Sequence, residues 1–103
     1  MAQLEQLVGA GTSFTLVLVS KTCPFCTRLV NTVTELSADG SLADAKVALL
    51  EVSEWDKATS PVVKAALSTK AVPYSVNFKD GAAGGNQLGA MPKDAFLKFI
   101  GQQ

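Results

Sequence analysis

Residues 15–27 read TLVLVSKTCPFCT, and the reading of this stretch decides the fold. Thr15 to Ser20 is an unbroken apolar and β-branched run, the pattern of a strand buried on both faces. Cys23 and Cys26 follow, the only two cysteines in the chain, with Pro24 and Phe25 between them. From Pro24 the periodicity changes. Phe25, Leu29, Val33 and Leu36 recur at the spacing of one helix face, and Asp39-Gly40 stops the pattern. The cysteine pair therefore falls where a buried strand hands over to a helix. Pro24 takes the first helical position, where its missing N–H costs nothing and its fixed φ suits the helix.

Outward from this point the remaining elements follow. Leu4, Leu7 and Val8 predict a short helix over residues 2–9, ended by Gly9–Gly11. KVALLEV at 46–52 reads as a second buried strand. Ser60 as N-cap and Pro61 as first helical residue open a helix that runs to about Thr69. YSVNFK at 74–79 alternates like a strand, Asp80-Gly81 forms a hairpin turn, and GNQLGA at 85–90 is the return strand. Met91-Pro92 opens a last helix with Phe96, Leu97, Phe99 and Ile100 on its buried face, closing at Gly101. A strand–helix–strand order implies a right-handed parallel crossover, and the hairpin adds antiparallel strands. The expected class is α/β, a mixed four-stranded sheet with a parallel βαβ unit followed by an antiparallel ββα unit, flanked by helices. Phe14, Phe96 and Phe99 read as core. Trp55, in a polar loop, reads as a packing residue or a substrate contact. Ser75 and Asn77 fall on a strand face that helices should bury, so that face is expected to be solvated or to meet a partner.

The chain has 103 residues, the length of a single domain over 1–103. Apolar residues make up 48% and charged residues 17%, with zero formal net charge and a mean hydropathy of +0.25. Without a basic patch or a block of like charges there is no electrostatic case for nucleic acid or an anionic membrane surface as partner. No apolar run reaches transmembrane length. The N-terminus MAQLEQLVGAG lacks the basic residues and apolar region of a secretory signal. The expectation is a cytoplasmic protein, and thiol pairs in the cytosol are more often catalytic or metal-binding than structural.

Four chemistries compete for a Cys-x-x-Cys pair. A zinc site needs about four Cys, His or carboxylate ligands, and this chain has no His and no third Cys. An iron–sulfur cluster shared between two copies would have four thiolates. A structural bridge acts by closing a loop, and this loop is too short to constrain the unfolded chain much. Redox chemistry fits the placement better. Helix-terminal N–H groups near Phe25 and Cys26, the helix dipole and the Cys26 thiol all favour thiolate at Cys23. An unperturbed thiol, with a pKa near ~8.5, is only about one-tenth thiolate at pH ~7.5. Cys26, a turn deeper, is the more shielded. Cys23 is then the nucleophile and Cys26 the resolving thiol. Lys21 either adds positive charge near the Cys23 thiolate or a substrate carboxylate, or is a solvated surface lysine.

Over nearly its whole length the chain resembles the thioredoxin superfamily, a Cys-x-x-Cys pair beside a βαβ pattern being its mark. VLVSKTCPFCTRL is similar to a glutaredoxin, with Phe25 in place of the Tyr of Cys-Pro-Tyr-Cys and Arg28 two residues after the second Cys. AVPYSVNFKDGAAGGNQLGAMPKDAFLKFI is similar to a thioredoxin, with Pro73, Phe78-Lys79, Gly81 and Gly89-Ala90 at thioredoxin spacing. The resemblance implies a thioredoxin fold and a cis bond before Pro73. It implies that Pro24, Phe25 and Pro73 support the site, and that Ala71, Val72, Leu88, Gly89 and Ala90 line a shallow apolar groove beside Cys23.

Several positions depart from the pattern. The buried Asp of thioredoxins falls at Val17 and its Lys partner at Leu49, the Trp before the first Cys is Thr22, and the helix-kinking Pro is Asn31. The Gly-Gly-x-Asp by which glutaredoxins hold glutathione is matched only by Gly84-Gly85 followed by Asn86-Gln87. The activity implied is dithiol exchange with disulfide-containing proteins. No metal and no tightly bound cofactor are expected. Electrons would come from an NADPH-linked thioredoxin reductase or from the glutathione system, and the protein would work as a monomer. A glutathione-dependent glutaredoxin is the nearest alternative. A thioredoxin-fold binding or accessory module is the alternative of another kind.

Overall fold

The computed structural model describes residues 2–43, 45–59, 61–68 and 72–103. In chain order these form α1 (Ala2–Gly9), β1 (Phe14–Val19), α2 (Pro24–Ala38), β2 (Val47–Glu51), a 3₁₀ helix (Val52–Lys57), α3 (Pro61–Leu67), β3 (Tyr74–Lys79), β4 (Ala82–Leu88) and α4 (Lys93–Ile100). The sheet order is β2-β1-β3-β4. β1 pairs with β2 in parallel, and the other two pairings are antiparallel. The α/β class and the mixed four-stranded sheet are those expected. Among the described residues no helix is long and apolar enough to cross a membrane.

β1 is the central strand for burial, all six of its residues being buried. Its side chains alternate between two cores. Phe14, Leu16 and Leu18 join Leu4 and Val8 of α1 and Val63 and Leu67 of α3. Val17 and Val19 face the other way, toward Leu29 and Val33 of α2 and Phe96 and Phe99 of α4. Each sheet face is thus covered by two helices, and the C-terminal end of β1 delivers the chain to Cys23 at the head of α2.

Three sequence expectations are corrected. β2 is an edge strand, in which only Leu50 is fully buried and Leu49 is 44% exposed. An apolar run reads alike whether a second neighbour covers it or not. The return strand begins at Ala82, three residues before the stretch first assigned. A two-residue turn pairs Lys79 directly with Ala82, and hairpin geometry overrides the poor strand propensity of Ala-Ala-Gly-Gly. The turn itself has Asp80 and Gly81 both at positive φ, +54° and +78°, and a Cβ on Gly81 would lie 3.1 Å from the Val8 carbonyl oxygen. Finally, the buried face of α2 is Cys26, Leu29, Val33 and Leu36, while Phe25 is 57% exposed. Cys26 takes the inward place on the first turn and Phe25 projects past the end of the sheet. The Ser60 cap lies outside the described residues. Trp55 falls on the 3₁₀ helix and packs against the Phe14 core.

The face bearing Ser75 and Asn77 is neither solvated nor open to a partner: both residues are buried. Asn77 Nδ2 donates to the Phe99 carbonyl at 2.8 Å, and its Oδ1 accepts from the Thr15 hydroxyl at 2.5 Å. Gln103 Nε2 in turn donates to Thr15 Oγ1 and to the Lys46 carbonyl. These bonds tie β1, β3 and the end of α4 together where an apolar pair would otherwise sit. Asn77→Leu is expected to lower stability by about 1–3 kcal/mol, because it removes the buried acceptor of the Thr15 hydroxyl and leaves the Phe99 carbonyl with its Gln102 N–H donor but without the side-chain one. The shift is read as a lower urea midpoint at unchanged slope. A loss under about 1 kcal/mol would show the network to be dispensable.

Candidate active site

Cys23 is the N-cap of α2, in extended backbone geometry, with Pro24 opening the helix behind it. Its sulfur stands where the oxygen of a Ser or Asp cap would accept a helix-terminal N–H, and the Cys26 N–H donates to it at 3.2 Å. Its carbonyl accepts the Thr27 N–H at 3.1 Å, beginning the helical ladder. The approach is held as well, because the Cys23 N–H donates to the Ser20 carbonyl. Cys26 lies one turn along on the inward face and is 1% exposed, whereas Cys23 is only half-buried. Both are free thiols.

These surroundings split the two thiols. The Cys26 thiol, donating to Cys23, lowers the Cys23 pKa, helped by the backbone N–H groups of Cys26 and Phe25. Burial pushes Cys26 up to about 11, and its donated hydrogen bond adds to the rise. One proton shared between the two sulfurs favours thiolate on the outer and thiol on the inner. Alkylation of the reduced protein should therefore show two steps. The rate at Cys23 climbs to a plateau below the ordinary thiol range, and the rate at Cys26 is still climbing near pH 11. Mass spectrometry of each site against pH checks this, and equal midpoints would contradict it.

Across from Cys23 comes a segment 49 residues away in sequence: the Val72 carbonyl lies 4.0 Å from Cys23 Sγ. The Val72–Pro73 bond is cis. The Pro73 carbonyl accepts the Gly89 N–H at 2.8 Å, which joins the end of β4 to this segment. Pro73 is buried, Gly89 half-buried, Ala90 exposed, and Leu88 is 59% exposed. Of the residues anticipated at the site, the structure thus brings Val72 to Cys23 and joins Gly89 to Pro73. Ala71 lies outside the described residues. Val17, at the position of the thioredoxin Asp, is fully buried in the core that contains Cys26, and its register partner is Ser75. Ser75 Oγ has no hydrogen-bond partner among the described residues.

Two contacts were not anticipated. Glu51, at the end of β2, accepts the Lys21 N–H at 3.3 Å and the Ser53 N–H at 2.7 Å. The Ser53 contact comes first in holding its carboxyl below the usual range, and together the two bonds anchor the loop that precedes Cys23. A carboxylate two residues before an N–H at a strand end is the local signal that finds such a cap. The Arg28 guanidinium lies 5.6 Å from the centroid of the Phe25 ring. Their three-residue spacing on one helix carries that signal in the sequence.

No family model and no curated protein sequence matches the chain. Solved structures do match. The oxidised thioredoxin of Plasmodium falciparum is 16% identical, with 99% of this chain and 90% of that chain covered at a TM-score of 0.74. Fasciola hepatica thioredoxin is 21% identical over 98% of this chain and 91% of that one, at 0.75. Mitochondrial thioredoxin 3 of Saccharomyces cerevisiae, also oxidised, is 22% identical over 99% and 89%, at 0.73. The chain has the thioredoxin fold.

Proposed function

We propose that the protein is a thiol–disulfide oxidoreductase that reduces protein disulfides, with Cys23 as nucleophile and Cys26 as resolving thiol. The observation that carries this reading is the helix-capping position of Cys23 Sγ, which accepts the Cys26 N–H at 3.2 Å above a buried second thiol. In the first step the Cys23 thiolate attacks one sulfur of the substrate disulfide. A Cys23–substrate S–S bond forms, the substrate S–S bond breaks, and its electron pair leaves on the other sulfur, which takes a proton from water. In the second step Cys26 gives its proton to solvent, and its thiolate attacks Cys23 Sγ. The Cys23–Cys26 disulfide forms as the second substrate thiolate leaves. The substrate has gained two electrons and the protein has lost two.

Pro73 and the Val72 backbone would position the substrate chain, and Leu88, Gly89 and Ala90 would give it an apolar groove, with Ala71 at its edge. Pro24 and Phe25 support the nucleophile from the helix. The reading needs no tightly bound cofactor. It needs an external electron donor, either an NADPH-linked reductase or glutathione, and a reducing compartment such as the cytoplasm.

The test is coupled NADPH consumption with a protein disulfide, once with thioredoxin reductase and once with glutathione and glutathione reductase. Turnover in the first alone marks thioredoxin-type partners, and turnover in the second alone marks a glutaredoxin. Failure of the reduced protein to release thiols stoichiometrically from any disulfide would overturn the proposal.

A further inference from the structure

Ala90, Met91 and Pro92 form one wall of a cleft of about 420 Å³, and Arg28, Asn31 and Thr32 of α2 form the other. Ala90 follows Gly89, which is bonded to Pro73, so the cleft continues the strip that ends there. We propose that Arg28 reads a carboxylate on the substrate, so that the protein prefers disulfides carrying an acidic group close to the attacked sulfur. This rests on the thiol–disulfide reading above.

The charge of Arg28 is unbalanced. Among the described residues it forms no ion pair. The nearest acidic side chain further along α2, Glu35, is held by Lys93 at 2.7 Å. The other five residues that line the cleft are neutral. The guanidinium carbon stands 5.6 Å from the centroid of the exposed Phe25 ring, within cation–π range. The planar guanidinium fork matches a carboxylate bidentately. A chain attached to Cys23 and running along the strip meets Arg28 as the first charged group of this cleft. The carboxylate has two possible sources, an acidic side chain of a polypeptide or the free carboxylates of a small disulfide such as oxidised glutathione.

The experiment uses the reduced full chain in single turnover. One set of probes is a short peptide whose one Cys is joined to a chromophoric aromatic thiol, with Glu, Gln or Lys beside that Cys. The other probe is oxidised glutathione. The wild type is expected to react about two- to fivefold more efficiently with the Glu than with the Gln peptide, as suits one exposed ion pair. The preference lies in the half-saturating concentration rather than the limiting rate, and it fades in ~1 M salt, where screening acts within about 3 Å. Arg28→Gln should remove the preference while leaving the Gln peptide unchanged, and Arg28→Lys should keep part of it. If Arg28→Gln slows only oxidised glutathione, the proposal holds with the small disulfide as the source. If it slows every probe equally, Arg28 acts by supporting Phe25 and the proposal is overturned. An active wild type with no Arg28-dependent preference overturns this inference alone. A wild type inert toward every disulfide overturns the thiol–disulfide reading with it.

Discussion

Cys23→Ser is expected to abolish disulfide reduction, with a loss of at least ~10³-fold, down to the background rate. The attacking species is a thiolate, and an alcohol in the same place is un-ionised at neutral pH and lacks a base to activate it. The N–H groups that cap the Cys23 sulfur cannot compensate, because they stabilise an anion that serine does not form. Cys26→Ser should fail differently. The first exchange proceeds, one equivalent of thiol leaves, and the substrate stays attached to Cys23 because nothing attacks the mixed disulfide. Mass spectrometry without reductant reads the trapped adduct. Cys26→Ala adds a pH signature. The Cys26 thiol is the largest cause of the lowered Cys23 pKa, so its loss should move the Cys23 alkylation midpoint upward, toward the ordinary thiol value. Activity surviving in Cys23→Ser, or a Cys23 midpoint that moves down in Cys26→Ala, would reverse the roles assigned to the two thiols.

Phe78→Ala should be the most destabilising single truncation, at about 3–5 kcal/mol. Phe78 and Phe14 are cross-strand partners, both fully buried, with rings stacked at 4.9 Å and inclined by only 4°. They join β1 to β3 inside the core closed by α1 and α3. Truncating one ring removes its own buried surface, leaves a cavity on the face of the other, and loses the stacking contact. A domain of this size is stable by about 5–15 kcal/mol, so roughly a fifth or more of the total is at stake. The measurement is the urea midpoint of Phe78→Ala beside Phe78→Leu, which refills much of the space and should lose less than half as much. A cost for Phe78→Ala below ~2 kcal/mol would mean that the core closes over the gap.

The capped position of Cys23 was legible because its geometry is local. A buried strand, a Cys, a Pro at the first helical position and a helical period all lie within adjacent residues, and they dictate the capped sulfur and the inward second thiol. The same holds for the Asp80-Gly81 turn, where two consecutive positive φ values select a tight hairpin, and for Phe96, Phe99 and Ile100 of α4, while Leu97 is only half-buried. Other features depended on what each element meets. The run at 46–52 resembles β1 in composition, yet β2 has one neighbour and β1 has two, so Leu49 lies open while Leu16 and Val17 do not. Phe25 keeps helical spacing but sits beyond the sheet that would bury it. Asn77 looked like a solvent or partner contact until Thr15, Phe99 and Gln103, distant in sequence, supplied its hydrogen bonds. The near approach of Val72 to Cys23 likewise belongs to chain segments that only packing brings together. Periodicity and turn chemistry act over a few residues and can be read in order. Burial, strand position and the partners of a polar side chain are set by contacts between segments tens of residues apart, which no local pattern encodes.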